Sequence, residues 1–419
     1  MAHAEADRVP GPRRTLRTLV ALAWPIVVSR ASQVVVGIAD AVMVAHLGAA
    51  ALAAVTTGAI NAFALFILPM GLVFIVSSFS SQLFGMGDTG GARRYAWYGL
   101  AVAAATEVVA LAAIPLLPAA LGPLPYAPDV REAMEGYLAL RLLSSGAVVG
   151  LEALGNYYGG LGNTRLPMAA NVAAMVLNVG GNALLIDGRL GAPALGVRGA
   201  ALASAAATGA AFAVLLAVFV AECRRFGTGR LRRGELLRLL RFGFPSGLNW
   251  FFEFLAFSFF CNVVVAGLGT VALAAMTAVF QINAVSFMPA FGVASAGSIL
   301  VGQAIGASVK DAVPRIVRMT FLTAATWQCV VGVAYVALPR SLLLPFVAAG
   351  PEGQALLEVG ARMLALTAAW QLFDAAASTL AESLRAAGDT AFTLWVRTIL
   401  GWLVFAPGSW LSVRVLGWG

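Results

Sequence analysis

Two apolar stretches about 220 residues apart are worn copies of one another, and this duplication limits the fold more than any single residue does. Ala51-Leu52-Ala53-Ala54 recurs as Ala272-Leu273-Ala274-Ala275, and each copy follows a Leu-Gly pair, Leu47-Gly48 and Leu268-Gly269. Gln82 and Gly85 recur as Gln303 and Gly306, and Gly162-Asn163-Thr164 recurs as Gly388-Asp389-Thr390. A duplicated set of apolar helices is a common plan for secondary transporters, which bind their substrates between the halves. The fold expected is therefore an all-α polytopic membrane protein, with two repeats of the six-helix type around a central cleft.

Composition points the same way. Of 419 residues, 60% are hydrophobic and 11% charged, against roughly 25% charged in soluble domains. A membrane helix needs about 20 apolar residues. Such stretches lie near 17–45, 50–79, 95–118, 132–158, 166–186, 196–221, 237–265, 271–300, 315–338, 356–383 and 391–414. Residues 1–16 read as a short Arg-bearing tail with no signal peptide ahead of the first span. The net charge of +8 does not argue for nucleic acid, because the arginines sit at span ends and not along one face. Cys223, Cys261 and Cys329 are far apart and set among apolar residues, so neither a disulfide framework nor a metal site is expected. The histidines are His3 and His46, too few for a zinc or haem centre.

The loops sort by charge. With the N-terminus in the cytoplasm, Arg93, Arg94, Arg165, Lys310, Arg315, Arg318 and Arg385 fall on that side, together with the dense run from Arg224 to Arg241. The opposite loops carry chiefly Arg131, Arg189, Arg198 and Arg340. The positive-inside rule sets this orientation. Residues 17–221 then form one lobe, 222–236 a basic linker and 237–419 a second lobe. An even number of spans separates matching points, so the repeats run parallel, related by an axis along the membrane normal. The second copy stops one span short: two spans follow Gly162-Asn163-Thr164, and one follows Gly388-Asp389-Thr390.

An acidic side chain at mid-bilayer costs roughly 2.5–3.5 kcal/mol on insertion scales, so each one asks for a reason. Asp40, Glu253 and Asp374 lie well inside spans. Glu253 shares a helical face with Trp250, Phe254 and Phe257, a setting that suits an organic cation through charge and cation–π contact together. Asp374 follows Trp370 and Gln371 by one turn and precedes Ser378 by another. Asn178 and Asn182 form an i, i+4 pair on the fifth span, and Ser204 opens the sixth. With Asp40 these offer carboxylate, amide and hydroxyl oxygens to a small hard cation, or a hydrogen-bonded proton site. The plainer alternatives are buried acids that serve packing and ordinary hydrogen bonds between helices. Glu152 and Glu382 lie nearer span ends and are expected to reach water. Arg30, inside the first span, has a stem long enough to snorkel.

Gly85-Met86-Gly87-Asp88-Thr89-Gly90 matches the dinucleotide fingerprint letter for letter, but it follows an apolar helix and not a strand, so it reads as a turn. No phosphate-binding loop with its lysine exists, since the only lysine is Lys310, so ATP is not expected as a partner.

On these residues the chain resembles the multidrug and toxic compound extrusion (MATE) family of cation-coupled exporters. The features carrying the resemblance are Pro25, Asp40 and Leu47-Gly48 in the first span, Gly162-Asn163-Thr164, and Gly196-Val197-Arg198-Gly199-Ala200-Ala201. Phe252-Glu253 after Pro245, and Asp374 followed by Leu384-Arg385-Ala386-Ala387-Gly388-Asp389-Thr390, complete it. The Glu of the seventh span and the Asp of the tenth look like the bacterial branch that places an ion site in the C-lobe. The first-span Asp, here Asp40, corresponds to an N-lobe cation or proton site; some relatives carry an Asp where this chain has Asn182. The resemblance implies a monomeric cell-membrane antiporter that exports organic cations or drugs in exchange for Na⁺ or H⁺ and needs no cofactor. The alternatives are a flippase for lipid-linked precursors, which would want a basic cleft, and an integral-membrane enzyme, for which the spans offer no nucleophile constellation.

Overall fold

The computed structural model describes residues 12–347 and 350–417. The part of the expected tail up to residue 11, and Trp418 and Gly419, lie outside the described residues. Every regular element among the described residues is helical. Ten helices are each long and apolar enough to cross a membrane, and Pro128–Leu142 with Ser145–Gly160, bent by 46°, make an eleventh when taken as one span. These coincide with the eleven apolar stretches of the sequence. Helices are the answer because the hydrocarbon core offers no water to backbone N–H and C=O groups, and a helix satisfies them within one segment.

The chain forms two compact units, one of Val28–Gly247 and one made of residues up to Val27 together with Leu248 onward. The first unit contains most of α1 (Pro12–Val44), then α2 (Ala49–Val73), α3 (Val76–Gly85), α4 (Thr89–Ala113), α5 (Leu117–Leu121), α6 (Pro128–Leu142), α7 (Ser145–Gly160), α8 (Arg165–Leu185), α9 (Val197–Phe226) and the start of α10 (Arg233–Phe259). Its largest cluster packs Val76, Tyr95, Leu154, Tyr157, Phe219 and Leu239. The second unit contains the rest of α10, then α11 (Thr270–Gly306), α12 (Val313–Ala337), α13 (Pro339–Leu343), α14 (Pro351–Ala387), α15 (Thr390–Ile399) and α16 (Ala406–Arg414). There Val279, Tyr335, Leu343 and Leu364 form one cluster, and Leu19 and Ala23 of α1 pack with Ala296 and Ile299 of α11 in another. α1 and α10 therefore each begin in one unit and end in the other.

At the matched positions the two copies fold alike. Gly48 (φ 110°, ψ 173°) and Gly269 (φ 104°, ψ 171°) make the same turn before α2 and α11, a conformation that side chains rarely adopt. After α3 and α11 the chain closes with the same wrap: the Asp88 N–H donates to Leu83 O and the Val309 N–H to Ala304 O, both at 2.9 Å. The left-handed residue of that wrap is Gly87 (φ 82°) in one copy and Ser308 (φ 62°) in the other. The fingerprint-like run 85–90 is thus a helix end followed by Asp88, whose side chain accepts from the Gly91 N–H and starts α4.

The basic segment 222–236 is largely structured. α9 runs to Phe226, and Arg93, only 6% exposed, donates from Nε to the carbonyl of Gly227 at 2.7 Å, capping that helix end. Arg94 and Tyr98 of α4 both reach Glu235 of α10, at 2.8 and 2.9 Å. Several arginines that label the topology are also structural ties.

Candidate functional site

In the first unit three side chains converge on one carboxylate. α1 carries Asp40, α8 carries Asn178 and Asn182 one turn apart, and α9 carries Ser204. Asp40 Oδ1 accepts from Asn182 Nδ2 at 2.6 Å and from Asn178 Nδ2 at 3.0 Å. Its Oδ2 accepts from Ser204 Oγ at 2.8 Å, and Asn178 Nδ2 also reaches Ser204 Oγ at 2.8 Å. None of the four is more than 5% exposed. Buried polar groups need partners, and here one oxygen goes without: Asn182 Oδ1 is buried and accepts from nothing in the structure. Small residues allow the convergence. Ala200, Ala201, Ala203 and Ala207 line the buried side of α9, and Gly181 stands between the two asparagines. A Cβ on Gly181 would sit 2.9 Å from the Ala203 Cβ, so α8 and α9 touch nearly backbone to backbone.

The second unit carries the other acids, in a different state. Glu253 on α10 has an exposed side chain, 61% accessible, and Arg397 Nη1 of α15 donates to its Oε2 at 2.7 Å. Sequence reasoning missed Arg397: the partners are 144 residues apart, and nothing in the local pattern of either helix announces the other. Asp374 on α14 is half-buried; its Oδ2 accepts from Gln328 Nε2 of α12 at 3.3 Å, and Ser378 Oγ donates to its backbone carbonyl. Gln328 is 1% exposed and its Oε1 has no partner.

The aromatic and amide residues expected to meet a ligand divide. Trp370 is half-exposed, and Trp250 and Phe254 are partly accessible. Phe257 packs on Phe280 of α11, with ring centroids 4.2 Å apart. Gln371 is 2% exposed and donates to Asn283 Oδ1 at 3.0 Å, which ties α14 to α11. Gln371 is thus turned into the bundle, because a side-chain amide at a helix–helix seam needs a partner there.

Three readings of charged residues require correction. Arg30 does not snorkel. Its guanidinium makes two bonds to Glu152 of α7, at 2.6 and 3.1 Å, over the Phe74 ring. Glu152 therefore does not reach water; it is 9% exposed and also accepts from Asn156 at 3.0 Å. Glu382 is likewise buried, paired with Arg385 one turn along α14. A paired charge can stay in a low-dielectric interior where a lone one could not.

Among the described residues no three His, Cys, Asp or Glu side chains gather to hold a metal ion. Oxygen ligands at Asp40 would come mainly from amides and a hydroxyl.

A family model described as MatE matches residues 25–184 and 245–411. A probable multidrug resistance protein NorM of Caulobacter vibrioides is 30% identical over 431 residues, spanning 99% of this chain and 88% of its own length. One of Pseudomonas putida is 28% identical over 415 residues, spanning 97% of this chain and 90% of its own length. Among solved structures, a MATE protein in complex with MaL6 has a TM-score of 0.86 at 19% identity, covering 96% of this chain and 89% of that one. A MOP superfamily transporter from Pyrococcus furiosus has a TM-score of 0.84 at 18% identity, covering 97% and 90%. At such identities the structures speak to the fold alone.

Proposed function

The chain belongs to the MatE family, and on that premise we propose that it is a secondary antiporter of the cell membrane. It exports organic cations or drugs in exchange for inward-moving Na⁺ or H⁺, with its N-terminus in the cytoplasm. The relatives named as multidrug resistance proteins support this reading. The observation that carries it is the buried cluster of Asp40, Asn178, Asn182 and Ser204.

A carboxylate inside a membrane bundle, ringed by hydrogen-bond donors, is poised to exchange partners. With no cation bound, two amide N–H groups and one hydroxyl satisfy it. An arriving Na⁺ would take a carboxylate oxygen, the hydroxyl oxygen and the unpartnered Asn182 Oδ1, oxygen ligands that hard cations prefer. An arriving proton would turn one carboxylate oxygen into a donor, and one of the three present donors would have to rotate away. Either event rewrites the bonds joining α1, α8 and α9. Cation occupancy thereby becomes a difference in helix packing, which coupling requires. Glu253 and Asp374 supply the charge that draws an organic cation, with Trp250, Phe254 and Trp370 as accessible rings beside them.

Export of a fluorescent cationic dye from cells tests the reading. Asp40→Asn, Glu253→Gln and Asp374→Asn should each reduce export strongly at wild-type protein levels. Undiminished export in all three would return these acids to a packing role.

A further inference from the structure

We propose that Arg397 is a tethered competitor for the acidic site of the second unit: its guanidinium occupies Glu253 when no external cation is bound, and a cationic ligand must displace it. This rests on the proposed function and names a residue that tunes the selectivity of that site.

Arg397 and Glu253 meet on neighbouring helices at 2.7 Å, yet their side chains stay 33% and 61% accessible. A pair built only to lock two helices would be expected to bury its charges, as Arg30–Glu152 does at 17% and 9%. Accessibility lets an incoming cation reach the Glu253 carboxylate without unfolding anything.

The surroundings explain why the pair can open. α10 passes into a π-helical segment, Phe260–Val265, which starts about two turns beyond Glu253. α15 passes into another, Leu400–Phe405, immediately after Arg397. The two segments face each other through Phe260 and Phe405, with ring centroids 5.1 Å apart. A Cβ on Gly401 would sit 3.9 Å from that of Ala256. These apolar contacts hold α10 beside the α15–α16 chain independently of the ion pair. π-helical turns are rare and recur at functional sites; here each follows its member of one exposed ion pair within about two turns.

Asp374, in the same unit, offers a second carboxylate, which accepts from Gln328 Nε2 at 3.3 Å. Guanidinium is planar, delocalised and weakly hydrated, so an organic cation of similar character replaces it like for like. A bulky organic cation also gains contact with the neighbouring rings.

The test measures binding of tetraphenylphosphonium to purified, monodisperse protein, with transport left out. Arg397→Gln should tighten binding about fivefold, the equivalent of removing one partly exposed ion-pair competitor. Arg397→Lys, which keeps a tethered cation, should stay near wild type. In a Glu253→Gln background, Arg397→Gln should have no further effect. Unchanged or weaker binding in Arg397→Gln, with Glu253→Gln still abolishing binding, would overturn the competitor role and leave the site in place. Wild-type binding in Glu253→Gln would overturn the acidic site itself.

Discussion

Asp40 owes its place to three hydrogen bonds that come from two other helices. Asp40→Ala would leave the Asn182 amide and the Ser204 hydroxyl without their main acceptor in the interior, each at about 1–3 kcal/mol, while Asn178 keeps its bond to Ser204. Asp40→Asn keeps one acceptor oxygen for the two asparagine amides and turns the other into an NH2 donor, which the Ser204 hydroxyl oxygen can accept. Thermal unfolding in detergent should therefore fall clearly for the alanine variant and little for the asparagine variant, while both lose export. Equal melting temperatures for the two would mean the cluster contributes nothing to folding. Arg30–Glu152 permits a parallel argument. Arg30→Ala leaves a buried, unpaired Glu152 and should destabilise by about 3–5 kcal/mol. Adding Glu152→Gln should recover much of that loss, and a double variant as unstable as the single one would contradict the ion-pair account. The two cases differ in how they read from sequence. Asn178 and Asn182 stand one turn apart on an apolar helix, a local pattern that singles them out. Arg30 and Glu152 are 122 residues apart, and only the packing of α1 on α7 makes them partners.

Helix ends follow rules that operate over five or six residues, and the run 85–90 was legible as a turn on that scale. The turns after α3 and α11 use one backbone conformation, with Gly87 in one copy and Ser308 in the other. A non-glycine residue in the left-handed region costs roughly 1 kcal/mol. Ser308→Gly should raise the melting temperature by a few degrees, and Gly87→Ser should lower it; a fall for Ser308→Gly would show that the serine has an offsetting contact. The α8–α9 seam makes the opposite case. Gly→Ala inside a helix ordinarily stabilises by about 0.5–1 kcal/mol. At Gly181 the new Cβ would meet the Ala203 Cβ at 2.9 Å, so Gly181→Ala should destabilise and weaken export. Gly181→Ala combined with Ala203→Gly should restore both, and failure to do so would place the constraint elsewhere. The π-helical segments 260–265 and 400–405 left no mark in composition, since an inserted residue changes hydrogen-bond register without changing hydropathy.

Across the whole molecule the apolar run lengths and the duplication were enough to foresee a helical membrane protein with eleven apolar stretches, because spanning a bilayer admits few solutions. Charge partners were the part that sequence left hidden, and they decide the chemistry: Asp40 is enclosed by donors, whereas Glu253 already holds an internal cation. In the proposed function, a cation gradient drives export through buried carboxylates. The direct measurement is efflux of a cationic drug from proteoliposomes, with a Na⁺ gradient at equal pH and, separately, a pH gradient without Na⁺. One of these gradients should drive wild-type transport, and Asp40→Asn should abolish the response to it. Transport indifferent to both gradients, or a gradient response unimpaired in Asp40→Asn, would contradict this proposal.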